Sequence, residues 1–102
     1  MTEAEFSLRL ARLREQKGVS ARDMSLSIGQ NPGYINNIET GKSMPSLTGI
    51  FYICEYLKIT PSEFFDMDAT NPAKSQELLK VVKGLTSEQL DNLIALAKGL
   101  HK

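Results

Sequence analysis

Apolar positions along the chain recur at helical spacing from one end to the other. Phe6, Leu10 and Leu13 fall at i, i+4 and i+7, with Leu8 beside them, and predict a helix over residues 3–17 stopped by Gly18. Its basic residues mostly lie off that stripe, as a solvated face would place them. Ser20 is a good N-cap for a short helix over 21–28, with Asp23 placed to complete a capping box. Gly29 breaks that helix at a sharp corner, and the small Ser25, four residues earlier, leaves room for a second helix to cross closely. The spacing predicts that this second helix starts with Asn31 as N-cap and Pro32 as its first residue and runs eight to ten residues, to Gly41. Ile35 and Ile38 make its thin apolar edge, leaving Gly33, Asn36, Asn37 and Thr40 facing outwards. Ser46 opens a helix over 47–57 whose Leu47, Ile50, Phe51, Ile53, Cys54 and Leu57 cover more than half the circumference, the pattern of a central core helix. Thr60-Pro61-Ser62-Glu63 starts a fifth, short helix through Phe64 and Phe65.

The polar stretch 66–70 reads as a linker, and the pattern then resumes as a helical hairpin. Asn71-Pro72 starts a helix to about residue 83 carrying Leu78, Leu79, Val81 and Val82, and Gly84 ends it. Thr86 and Gln89 form a capping box, Leu85 and Leu90 a hydrophobic staple, and Leu90, Leu93, Ile94, Ala97 and Leu100 make a continuous stripe. The fold class is all-α: a five-helix bundle over 1–68 followed by a two-helix hairpin over 69–102. The bundle is complete without the hairpin, so the hairpin stripe is expected to associate with a second copy of the chain; packing back on its own bundle is the alternative.

Composition narrows the function. Formal net charge is zero, which argues against a general polyanion binder. The charge is nevertheless uneven. Residues 9–42 carry Arg9, Arg12, Arg14, Lys17, Arg22 and Lys42 against Glu15, Asp23 and Glu39, a balance of +3, whereas residues 55–91 carry four bases and seven acids. The basic half is the one containing the two short helices, and an amide-rich helix on a basic surface suits a DNA groove. No apolar run approaches the roughly 18 residues of a membrane span, and the acidic start of the chain does not read as an export signal. The single cysteine, Cys54, lies in an apolar run, consistent with a buried thiol and a reducing cytoplasm. One cysteine and one histidine, His101 beside the C-terminus, supply neither a metal site nor a nucleophile–base–acid set. No enzyme, no metal, no cofactor and no small-molecule ligand are expected.

Residues 6–66 resemble the helix-turn-helix domain of the lambda repressor and Cro type, the XRE family. The segment KGVSARDMSLSIGQNPGYINNIETGKSMPSL carries the small residue, turn glycine, two core isoleucines, Ile-Glu-x-Gly-Lys ending and following Pro-Ser-Leu of that family, and CEYLKITPSEFF resembles its close. The resemblance implies a lambda-repressor-like bundle, double-stranded DNA as partner, and a dimer on a palindromic operator. It also implies a partly buried structural salt bridge between Arg14 and Glu39, and a phosphate contact at Lys42. This chain departs from the family pattern in three places. Ala21 stands where a phosphate-anchoring Gln is common, and Pro32 and Gly33 stand at two positions that commonly read bases.

Base reading therefore moves to Tyr34, Asn36 and Asn37, and an Asn amide can bond adenine N6 and N7 together. Tyr34 can meet a phosphate through its hydroxyl, press its ring on a thymine methyl, or lie on the bundle. Arg22, Asn31, Gly33, Lys42 and Ser43 are the candidates for the DNA backbone, Gly33 by letting main chain approach closely. The expected function is a sequence-specific transcriptional regulator, a repressor acting as a dimer. The alternative is an antitoxin-like or anti-repressor-like protein-interaction module with weak or no DNA binding.

Overall fold

The computed structural model describes residues 1–100, so His101 lies outside the described residues. Among these, the chain forms α1 (Glu3–Lys17), α2 (Ala21–Ser27), α3 (Tyr34–Glu39), α4 (Leu47–Leu57), α5 (Pro61–Phe65), α6 (Pro72–Val82) and α7 (Ser87–Leu100), and no strand. The caps explain most of these bounds. Thr2 and Glu5 close a capping box at α1, as Thr60 and Glu63 do at α5 and Thr86 and Gln89 at α7. At α2 only half of the expected box forms. Ser20 Oγ accepts from the Asp23 amide at 3.0 Å, but Asp23, a methylene shorter than Glu, does not return the bond.

Three readings need correction. The third helix starts at Tyr34, not Pro32, and has six residues. Asn31 Oδ1 accepts from the Gly33 amide at 3.1 Å and the Asn31 carbonyl from the Tyr34 amide, so the side chain builds a local turn instead of a helix cap. In α4 the core takes Gly49, Ile53, Cys54 and Leu57, while Leu47 and Phe51 stay about two-thirds and one-half exposed, because the other helices cover one side of α4 only. Arg9 is not on a solvated face. It is buried, with Nε 2.8 Å from the Phe64 carbonyl and Nη2 2.8 and 3.0 Å from those of Glu63 and Asp66. Burial lowers its pKa, and the three bonds gather the carbonyls at the end of α5, of which those of Glu63 and Asp66 also accept from the amides of Asp66 and Ala69.

The hydrophobic core is drawn entirely from residues 6–64: Phe6, Leu10 and Leu13 of α1, Met24, Ile35, Ile38, Ile53, Cys54 and Leu57 of α4, Ile59 and Phe64. Burial pushes the Cys54 thiol up to about 11, so it is an inert core residue. The hairpin is tied in at its root. Pro72 is fully buried, the Gln76 amide donates to the Glu63 carboxylate, and Gln16 donates to the Thr70 carbonyl. Beyond the root the stripe is only half covered: Val82, Leu90 and Leu93 are partly buried, whereas Leu78, Leu79, Val81, Ile94 and Leu100, with Leu96 at the edge of the stripe, are at least half exposed, and α7 has no buried residue. The molecule is accordingly elongated, 50 × 27 × 22 Å, with a radius of gyration of 16.3 Å against about 13 Å for a compact chain of this length.

Candidate nucleic-acid interface

A six-residue helix is too short to hold itself in water, so its neighbours must fix α3. At its start, Ser25 Oγ donates to the Ala21 carbonyl at 2.7 Å and accepts from the Ile35 amide at 3.0 Å, so one buried hydroxyl joins α2 to the first turn of α3. Gly29, at φ +78°, supplies the left-handed corner between them. At its end, α1 holds α3 twice. Ser7 Oγ donates to the Ile38 carbonyl at 2.7 Å, and Arg14 grips Glu39 through Nε at 2.7 Å and Nη2 at 2.9 Å, with Nη1 on the Val19 carbonyl. The Arg14–Glu39 pair is thus a structural, two-pronged ion pair, and its hydrogen bonds raise the Arg14 pKa further. Ile35 and Ile38 complete the clamp by full burial.

Clamped from inside, α3 turns Asn36 fully outwards and Asn37 partly so. Neither side-chain amide has a hydrogen-bond partner among the described residues, and both are therefore available to a ligand. The Asn37 carbonyl accepts from the amides of Lys42, at 2.8 Å, and Ser43, at 3.2 Å, which binds the following loop to the helix. Lys42 and Ser43 are exposed, and Arg22 is exposed on the first turn of α2. The Asn31 and Gly33 groups are already partly used by the turn they make together, and a Cβ at Gly33 would sit in ordinary contact with Asn31 Oδ1 at 3.7 Å and Asn37 Nδ2 at 3.8 Å. Tyr34 is the candidate that the fold draws inwards. It is half-buried against the core, and desolvation raises its phenol pKa.

Two residues that shape this surface were not singled out as functional in the sequence. Ser7 and Arg9 flank the Phe6–Leu10 stripe, and the faint signal was that Ser7, Leu10 and Arg14 share one face of α1 at i, i+3 and i+7. The charge balance changes with them. Arg9, Arg14 and Glu39 work inside the fold, leaving Arg12, Lys17, Arg22 and Lys42 against Glu15 and Asp23, and Lys17 sits 4.9 Å over the Tyr56 ring. The surface stays basic, by a smaller margin.

A helix-turn-helix family model matches residues 10–64, from the middle of α1 to Phe64 of α5. The chain belongs to the XRE family of Cro/C1-type helix-turn-helix proteins. No curated protein and no solved structure matches it. As an XRE protein it is a DNA-binding regulator, and α2 and α3 lie within the matched residues. The described residues contain no cluster of three metal-ligating side chains and no helix long and apolar enough to cross a membrane.

Proposed function

We propose that this XRE regulator is a repressor that binds a palindromic operator as a homodimer, with residues 1–68 on DNA and residues 69–102 as the association element. One observation carries the DNA reading: a short helix clamped at both ends presents two carboxamides, Asn36 and Asn37, with no hydrogen-bond partner among the described residues. In the major groove these two read bases, and adenine is the base an Asn amide fits in bidentate fashion. Lys42, Ser43 and Arg22 hold phosphates. Asn31 has its amide nitrogen left for another, and Gly33 lets the backbone come close. Two copies would place their recognition helices about 34 Å apart, one turn of the duplex. The half-covered stripe of α6 and α7 supports the dimer, because it is apolar and this chain leaves part of it exposed.

Gel retardation with DNA from upstream of its own gene tests this reading. Replacing Asn36 and Asn37 together by Ala should weaken operator binding by roughly tenfold or more, the worth of one or two base contacts. Lys42→Ala should weaken all DNA equally and lower the salt slope by about one unit. An unchanged affinity in the double variant would overturn the assignment of the reading face. A second reading, the protein-interaction module, is favoured by the absence of polar side chains at Pro32 and Gly33. Co-purification of a different polypeptide, together with no retardation at about 50 mM salt, would select it.

A further inference from the structure

Gly49 is buried inside α4, where glycine is a poor choice by helix propensity and alanine the best one. The reason lies in α3. A methyl group at Gly49 would stand 2.6 Å from the Tyr34 hydroxyl oxygen, 3.2 Å from Pro45 Cβ and 3.4 Å from Ser46 Oγ. The first of these is closer than any carbon–oxygen contact allows, so the missing side chain is the seat of the phenol tip. Tyr34 is the first residue of α3, a helix without a side-chain cap, and its ring packs on the core. The hydroxyl makes no hydrogen bond within the described residues, so contact and ring packing hold it there.

We infer that Tyr34 is a positioning residue for DNA reading and not a reader: seated on Gly49, its ring sets how far the start of the recognition helix stands from α4, and so where Asn36 and Asn37 enter the groove. Ser25, Ser7 and Arg14 tie α3 to α2 and α1, and the Tyr34–Gly49 seat is the corresponding stop on the α4 side. A helix fixed against two neighbours can still roll about the line joining them; a third contact removes that freedom. The inference rests on the DNA-reading function proposed above.

The test compares Tyr34→Phe, Tyr34→Ala, Gly49→Ala and the double variant Tyr34→Phe/Gly49→Ala in the full chain. Each is measured for affinity to duplexes that the wild-type protein selects from a randomised DNA pool, and to unselected duplex. Tyr34→Phe keeps the ring and should bind selected DNA within about threefold of wild type. Tyr34→Ala and Gly49→Ala should each lose roughly tenfold on selected DNA, the size of a misplaced base contact, with unselected DNA unaffected. Removing the hydroxyl makes room for the methyl, so the double variant should regain most of the Gly49→Ala loss. Three results would each overturn the inference: Tyr34→Phe losing as much as Tyr34→Ala, which is the mark of a hydroxyl–DNA contact; Gly49→Ala binding like wild type; or no recovery in the double variant. Thermal unfolding of the same set separates the two levels. Strong coupling between the two sites, in a protein that selects no DNA, would keep the seat but remove both its positioning role and the function on which that role depends.

Discussion

Helix α1 of the bundle and α7 of the hairpin are of similar length, 15 and 14 residues, with three and four leucines, yet they use them in opposite ways. In α1, Leu10 is fully buried; in α7, Leu96 is 65% exposed. The bundle is finished within one chain: Thr2, Ser20, Ser46 and Thr60 cap four of its five helices, Arg9 gathers the last carbonyls of α5, and Arg14 and Ser7 hold α3. The hairpin has sound helix signals, with a capping box at Thr86 and Asn71 capping α6, but past the buried Pro72 its apolar side is at best partly covered, as at Leu90 and Leu93, and no residue of α7 is buried. Local signals are enough to make a helix, and only burial gives it a place.

The sharpest way to break this contrast is to remove the hairpin beyond its root. A chain ending at Ala73 keeps Pro72 in place and should remain folded while its solution mass, read by light scattering, falls from dimer to monomer. Operator affinity should fall with it by about 10²–10⁴-fold, because two linked half-sites then become independent. A full-length monomer would remove the contrast's functional meaning. Next in size is one substitution made in both regions. Leu10→Ala should cost about 2–5 kcal/mol in chemical denaturation. Leu96→Ala should change the stability of the bundle by less than about 0.5 kcal/mol and raise the dissociation constant of the dimer instead.

The smallest effect lies at the junction of the two regions. Hydrogen bonds from the Thr60 amide, and then from Gln76 and the Thr60 hydroxyl, hold the Glu63 carboxyl below the usual carboxylate range. A depressed folded-state pKa means stability that is present above the unfolded value of about 4.3 and is lost as pH falls through the folded value. Glu63→Gln should therefore lower Tm most near neutral pH, and its melting curve should converge on that of the wild type in acid.

Much of this fold was legible because its signals are local. The starts of α2, α4, α5, α6 and α7 follow from Ser, Thr or Asn caps, and α1 and the core isoleucines of α3 from apolar spacing. The start of α3 was misread because Asn31 can either cap a helix or fold its side chain onto the next turn, and the same residues encode both. The inner role of Arg9 was hidden for a different reason: its partners are the carbonyls of residues more than fifty positions away, and no side-chain type marks a carbonyl as needy. For the interface, the sequence offered Asn36, Asn37, Lys42 and Arg14–Glu39 by pattern and resemblance. Tyr34 turns onto the core with its hydroxyl beside Gly49, through packing between helices that no spacing rule describes.

The dimer proposed above would give the exposed side of the hairpin a consequence in dose. A repressor whose pairing surface is satisfied only by another copy of itself is a meter of its own abundance. Below the dissociation constant for pairing, the population of dimers rises as the square of the number of chains, so doubling the chains quadruples the species that can span an operator. The leucines left in water at α6 and α7 would then set the threshold at which a cell's stock of this protein begins to count.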